Sequence, residues 1–217
     1  MTRSILPALL MALGLSLAGT AALPPPAQAA AKQAALTDAD RADLARVEDY
    51  LRGVETMRSK FLQVVESGET VQGTFYLSRP GRMRIDYDPP VQNFIVADGK
   101  FVFFWDAELK QQSNAPIGST LADFILRPDL KLAGDVTVTD VERQAGVLEV
   151  TLVQTKDPGL GRLTLVFEDQ PLRLRKWRVV DAQNQTTEVA LLNPEAGVPL
   201  KDELFYFREP QTRRKRD

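Results

Sequence analysis

The sequence predicts a mainly β protein, built as one large, strongly bent antiparallel sheet or an incomplete barrel, with two short helical insertions. Three observations predict it. Segments of five to nine residues alternate between apolar and polar side chains along most of the chain, and such a period of two is that of a strand with one buried face. The segments are separated by tight turns rich in glycine, proline, aspartate and asparagine, as in consecutive antiparallel strands. Only two stretches have helical spacing.

The first of these stretches begins near Thr37 or Asp38, either of which can cap a helix. Leu44, Val47, Leu51 and Val54 follow in steps of three and four, with Tyr50 beside them, which makes one apolar stripe. Before it, residues 31–36 read as a small-residue spacer. Phe61–Glu66 is a predicted strand, and Ser67-Gly68-Glu69 turns into the next. From Val71 to Arg79, Phe75 and Leu77 share a face that ends in the cation of Arg79. After Pro80-Gly81, Met83, Ile85 and Tyr87 alternate with Arg82, Arg84, Asp86 and Asp88. A Pro89-Pro90 break precedes a strand over Gln92–Ala97, an Asp98-Gly99 hairpin turn and a strand over Lys100–Asp106. Glu108–Ser113 is a further short strand.

The pattern then changes. Pro116–Asp129 carries Leu121, Phe124 and Ile125 at helical spacing, with Ser119 or Thr120 as cap and Pro128 as stop. Strands resume over Val136–Arg143, Val147–Gln154, Arg162–Glu168, Leu172–Val180 and Gln185–Leu192. A loop covers Asn193–Val198, and Glu203–Phe207 is the last strand. The count is eleven or twelve.

Composition excludes several chemistries. The 217 residues contain no cysteine and no histidine, and the net charge is −2. A disulfide, a thiolate or imidazole metal site and a histidine general base are therefore ruled out. No global basic field attracts nucleic acid. Neither a G-x-S-x-G elbow nor a P-loop is present. No enzymatic activity, cofactor or metal is expected. At the N-terminus, Arg3, an apolar run from Ile5 to Ala18 and the Ala27-Gln28-Ala29 pattern read as a signal peptide over residues 1–29, cleaved near Ala29 or Ala30. The expected location is the periplasm, with one domain over 30–207 and a polar basic tail over 208–217.

The apolar strand faces admit two readings. Phe75, Leu77, Met83, Ile85 and Tyr87 from the first pair, with Phe94, Val96, Phe101, Phe103 and Trp105 from the second, form either an ordinary packed core or the wall of a cavity for an apolar ligand. Periodicity alone favours the core. Arg79 also has two readings. It is a surface arginine at a turn, which the residues alone favour, or a latch whose guanidinium binds free carbonyls of a short helix or loop.

The order of helix, strand, GTFYLSRPGRMRIDY, proline break, VADGKFVFFWD and the apolar insertion LADFIL resembles the LolA family of periplasmic outer-membrane lipoprotein carriers. The resemblance runs from about Ala42 to Phe207 and is most specific over Gly73–Pro80 and Asp98–Asp106. It implies an unclosed, half β-barrel of about eleven strands, covered by the N-terminal helix and a short helical lid. It implies a monomeric carrier whose hydrophobic cavity takes the acyl chains of lipoproteins. The cargo would come from an inner-membrane lipoprotein-releasing ABC transporter and go to an outer-membrane lipoprotein receptor. The resemblance makes Arg79 the lid latch, facing a lid of Leu121, Phe124 and Ile125, and places the residue that meets the transporter at Met83. The family's longer C-terminal segment is expected to be replaced by a short polar tail. The alternative is a periplasmic lipid-binding or protein-scaffold module on the same fold.

Overall fold

The computed structural model of the protein describes residues 34–120, 123–128 and 130–210. Helix α1 spans Asp38–Gly53. Its start is a capping box. The Thr37 hydroxyl accepts from the Asp40 amide at 3.2 Å, and the Asp40 carboxylate accepts from the Thr37 amide at 2.7 Å. The predicted stripe is buried through Leu44, Val47 and Leu51.

Eleven antiparallel strands follow. They are β1 (Thr56–Val65), β2 (Thr70–Ser78), β3 (Arg82–Tyr87), β4 (Phe94–Asp98), β5 (Phe101–Asp106), β6 (Gln111–Pro116), β7 (Val136–Gln144), β8 (Val147–Gln154), β9 (Gly161–Glu168), β10 (Arg173–Asp181) and β11 (Thr186–Ala196). Their order in the sheet is β6-β5-β4-β3-β2-β1-β11-β10-β9-β8-β7. Each hairpin adds its strand beside the last, so the two meanders meet where β1 pairs with β11. The edges β6 and β7 do not pair with each other, so the sheet is not closed.

The departures from expectation have local causes. Strand β1 starts five residues earlier than Phe61, because its inward positions include the buried polar Ser59 and Gln63, which hide the alternation. Strand β6 lies over Gln111–Pro116 instead of Glu108–Ser113. The carboxylate of Asp106 accepts from the amides of Glu108 and Leu109 at 2.9 Å, which folds those residues into the turn. Strand β11 runs on through Asn193 and Pro194, a predicted loop, and pairs Glu195 and Ala196 with Arg58 and Met57. The predicted last strand is a 3-10 turn over Asp202–Phe205. The predicted insertion helix shrinks to a 3-10 turn at Ile117–Ser119 and one turn of helix, α2, at Asp123–Leu126. The hydroxyls of Ser119 and Thr120 donate back to the carbonyls of Pro116 and Ile117, at 2.8 and 2.9 Å.

Helix α1 lies against one face of the sheet and bridges its two meanders. Arg143 at the end of β7 pairs with Asp40 and Asp43, at 2.7 and 2.5 Å, and Arg46 pairs with Asp43 and Asp169, at 2.7 and 2.8 Å. These pairs fix the first half of α1 to β7 and to the β9–β10 turn. The other end of the helix reaches β2. No helix among the described residues is long and apolar enough to cross a membrane.

The opposite face of β3–β5 carries its own apolar cluster. Phe94, Val96 and Trp105 are buried there with Ala107 and Phe207 packed against them. The chain after β11 crosses this face as a strap. Asp202 pairs with Arg82 at 2.7 Å, the Leu204 carbonyl accepts from Arg84 at 3.2 Å, and the Phe207 ring stacks on Phe103 with centroids 5.1 Å apart. A segment follows the last strand, and the tail beyond residue 210 lies outside the described residues.

Candidate functional site: an apolar cavity under the end of α1

A pocket lies between the sheet, the C-terminal end of α1, and α2. Its walls are Tyr50, Leu51 and Val54 from α1, Met57 from β1, and Phe75 and Leu77 from β2. Phe124 and Ile125 of α2, Leu130, and Leu174 and Trp177 of β10 complete it, and Arg79 stands in the wall just after β2. The pocket space is about 390 Å³ including its open side, but only about 20 Å³ of it admits the centre of a water molecule. That is the space of one or two waters. A long alkyl chain enters only if a wall moves.

Each wall residue has a cause in the chain. Phe75 and Leu77 alternate inward along β2. Leu174 and Trp177 are three residues apart, so simple alternation would put them on opposite faces. A bulge between Leu174 and Lys176 inserts one residue and returns both to the same face. Trp177 then meets Phe75 edge to face, with ring centroids 5.5 Å apart. Tyr50 closes another side, where its hydroxyl accepts from the Leu174 amide at 3.1 Å.

Arg79 reaches two carbonyls at the C-terminal end of α1, of which that of Leu51 also accepts from the Val54 amide at 3.3 Å. The Arg79 Nη2 donates to the carbonyl oxygens of both Leu51 and Val54, at the helix end where acceptors outnumber intrahelical donors. Among the described residues its partners are thus at the end of α1, whereas the resemblance implies the lid of Leu121, Phe124 and Ile125. The α2 turn is tied in by the neighbouring backbone, since the Gly81 amide donates to the Leu126 carbonyl at 2.7 Å. Burial holds the Arg79 guanidinium below its ordinary range, at about 10, although the field of Glu55 pulls the other way.

The structure sorts the remaining candidates. Phe124 and Ile125 line the pocket, and Leu121 lies outside the described residues. Met83, Ile85 and Tyr87 are buried on the same face as Phe75, but their side chains pack in the core away from the pocket. Tyr87 donates to the Gln63 carbonyl oxygen at 3.0 Å, and burial raises its phenol above the usual range. Phe94, Val96, Phe101, Phe103 and Trp105 are not in the wall. The register pairs Ile85 with Ile95, and Ile95 with Phe104, so Ile95, Ala97, Val102 and Phe104 face α1. Phe94 and Val96 stand opposite Asp86 and Arg84 on the other face, together with their β5 partners Trp105 and Phe103. Both faces of β4 and β5 are apolar, so alternation cannot choose between them. The wall residues that the sequence reading did not assign to the site are Tyr50, Leu51, Val54, Met57, Leu130, Leu174 and Trp177. The stripe on α1 signals the first three. No simple period signals Leu174 and Trp177 together.

The fold and the pocket define an open half-barrel that encloses an apolar cavity beneath a helix end held by one arginine. The profile of the family described as "Outer membrane lipoprotein carrier protein LolA" matches residues 52–208, and the chain belongs to this family. It is 30% identical over 183 residues to the outer-membrane lipoprotein carrier protein of Methylococcus capsulatus, covering 80% of this chain and 87% of that one. It is 29% identical over 175 residues to the carrier protein so named from Legionella pneumophila strain Corby, covering 76% and 85%. Among solved structures, a LolA superfamily protein from Nitrosomonas europaea superposes with a TM-score of 0.46 at 10% identity, over 76% of this chain and 97% of that chain.

Proposed function

We propose that the protein is a periplasmic carrier that holds lipoprotein acyl chains in the Phe75–Trp177 cavity, taking cargo from an inner-membrane ABC transporter and passing it to an outer-membrane receptor. The observation that carries this reading is the small apolar pocket whose cover, the end of α1, is tethered by Arg79. Names of relatives that cover most of both chains support the same reading. Each acyl CH2 group buried contributes about 0.8 kcal/mol, so several long chains in a fully complementary cavity would bind too tightly to leave. A cavity that collapses on itself resolves this. Closing the α1 end competes with cargo, so part of the burial energy is spent on opening. The signal peptide over residues 1–29 and the single domain over 30–207 belong to this proposal, as does action as a monomer without covalent chemistry.

The test is release of newly made lipoprotein from energised inner-membrane vesicles that contain the transporter. Adding the purified mature protein should move lipoprotein into the soluble fraction as a complex with it. Lipoprotein that stays on the vesicles at every protein concentration would contradict the proposal.

A further inference from the structure

Arg79 brings more donors to the cavity than the protein uses. A guanidinium has five N–H donors. Its Nη2 serves the Leu51 and Val54 carbonyls, while its Nε is buried with no hydrogen-bond partner. The groups that raise its proton affinity, Glu55 and Tyr50, act only through space. The other polar side chain in the wall, Tyr50, has its oxygen engaged by the Leu174 amide. Arg79 therefore brings to the cavity wall a cation with one donor unused, set among Leu, Val, Phe, Met and Trp. A part-buried cation whose carboxylate neighbour, Glu55, acts only through space gains from an anionic acceptor bonded to it directly.

We infer that the cavity recognises a single-chain anionic amphiphile, a long-chain fatty acid, with its carboxylate on the Arg79 guanidinium and its chain between Phe75, Leu77, Phe124 and Trp177. This deepens the carrier reading and rests on it, since the same cavity must open. The carboxylate matches the planar fork of the guanidinium better than a lone backbone carbonyl does. It occupies the free Nε–H and competes for Nη2. The carbonyls of Leu51 and Val54 are then released, and the α1 end lifts from the cavity. An anionic head thus opens the cover that its own chain needs open. A single chain with a neutral alcohol head offers a weaker acceptor and leaves the cost of freeing α1 largely unmet, whereas the several acyl chains of a lipoprotein meet it by burial.

Isothermal titration of the mature protein with laurate and with 1-dodecanol, both below micelle formation at pH 7.5, separates these cases. Laurate is ionised there. It should bind at least roughly tenfold tighter than dodecanol, because a charged hydrogen bond is worth more than a neutral one. In Arg79→Leu the preference should vanish, with dodecanol still bound. In Arg79→Lys, which keeps the charge but not the fork, it should shrink. Equal affinity of the wild-type protein for the two ligands would overturn the anionic anchor while leaving the apolar cavity standing. Binding of neither would overturn the anchor and count against the cavity as an acyl site as well.

Discussion

Replacing Arg79 with leucine should turn a reversible carrier into a trap. The change removes both bonds from Nη2 to the Leu51 and Val54 carbonyls and adds apolar surface at the cavity mouth. A hydrogen bond to a charged group contributes about 1.5–3 kcal/mol. The two bonds share one nitrogen, and closing them desolvates a charge, so the closed state is expected to lose about 2–3 kcal/mol in total rather than twice the single-bond figure. Closure is what competes with cargo. Its loss should raise cargo affinity by the same amount, roughly 30- to 150-fold. Capture should be unimpaired, because the walls from Phe75 to Trp177 are untouched. The assay loads wild-type and variant protein with labelled lipoprotein and follows its appearance on purified receptor. The variant should load fully and transfer slower by about that factor. Delivery by Arg79→Leu at the wild-type rate would refute the reasoning.

Three further outcomes are expected. Gly73→Ala places a Cβ 2.1 Å from the Asp86 carbonyl oxygen and 2.7 Å from the Phe61 ring. Overpacking of this kind costs about 1–3 kcal/mol, so a calorimetric scan should show a fall in Tm of at least a few degrees. Phe75→Ala and Phe94→Ala should each destabilise the fold by about 3–5 kcal/mol, but only the first should change the affinity for an acyl probe, because Phe94 packs on the face away from α1. The Thr37 and Arg143 bonds hold the Asp40 carboxyl at about 2. Its contribution to stability is thus present above the unfolded carboxylate value of about 3.9 and lost as pH falls through about 2. The Tm gap between wild-type and Asp40→Asn protein should be steady from pH 7 to 5 and narrow between pH 4 and 2.

The β2–β3 hairpin was legible because it keeps a strict period of two. Val71–Tyr87 reads correctly down to which residues face α1. Legibility ended where alternation stopped carrying information. In β4 and β5 every position but the turn is apolar, and only the pairing of Ile85 with Ile95 decides the face. In β1 the buried Ser59 and Gln63 mask an inward row. In β10 a bulge moves Trp177 to the side of Leu174, which no periodic pattern records. The strap is a different case. Its Phe205 and Phe207 alternate like a strand, yet they fold onto the outer face of β3–β5 because cation–ring contact with Arg82 and stacking on Phe103 hold them there. Arg79 was singled out by its place at the end of an apolar face. Which helix it holds depends on where α1 ends in space, and sequence spacing does not contain that distance.

The most direct test of the carrier account is native mass spectrometry of the protein purified without detergent from the periplasm of its own cells. The account predicts a population carrying one intact, acylated lipoprotein, lost when Phe75 and Trp177 are both replaced by aspartate in a chain that still folds. A protein recovered only as the bare mature chain, with lipoprotein export proceeding normally, would contradict it.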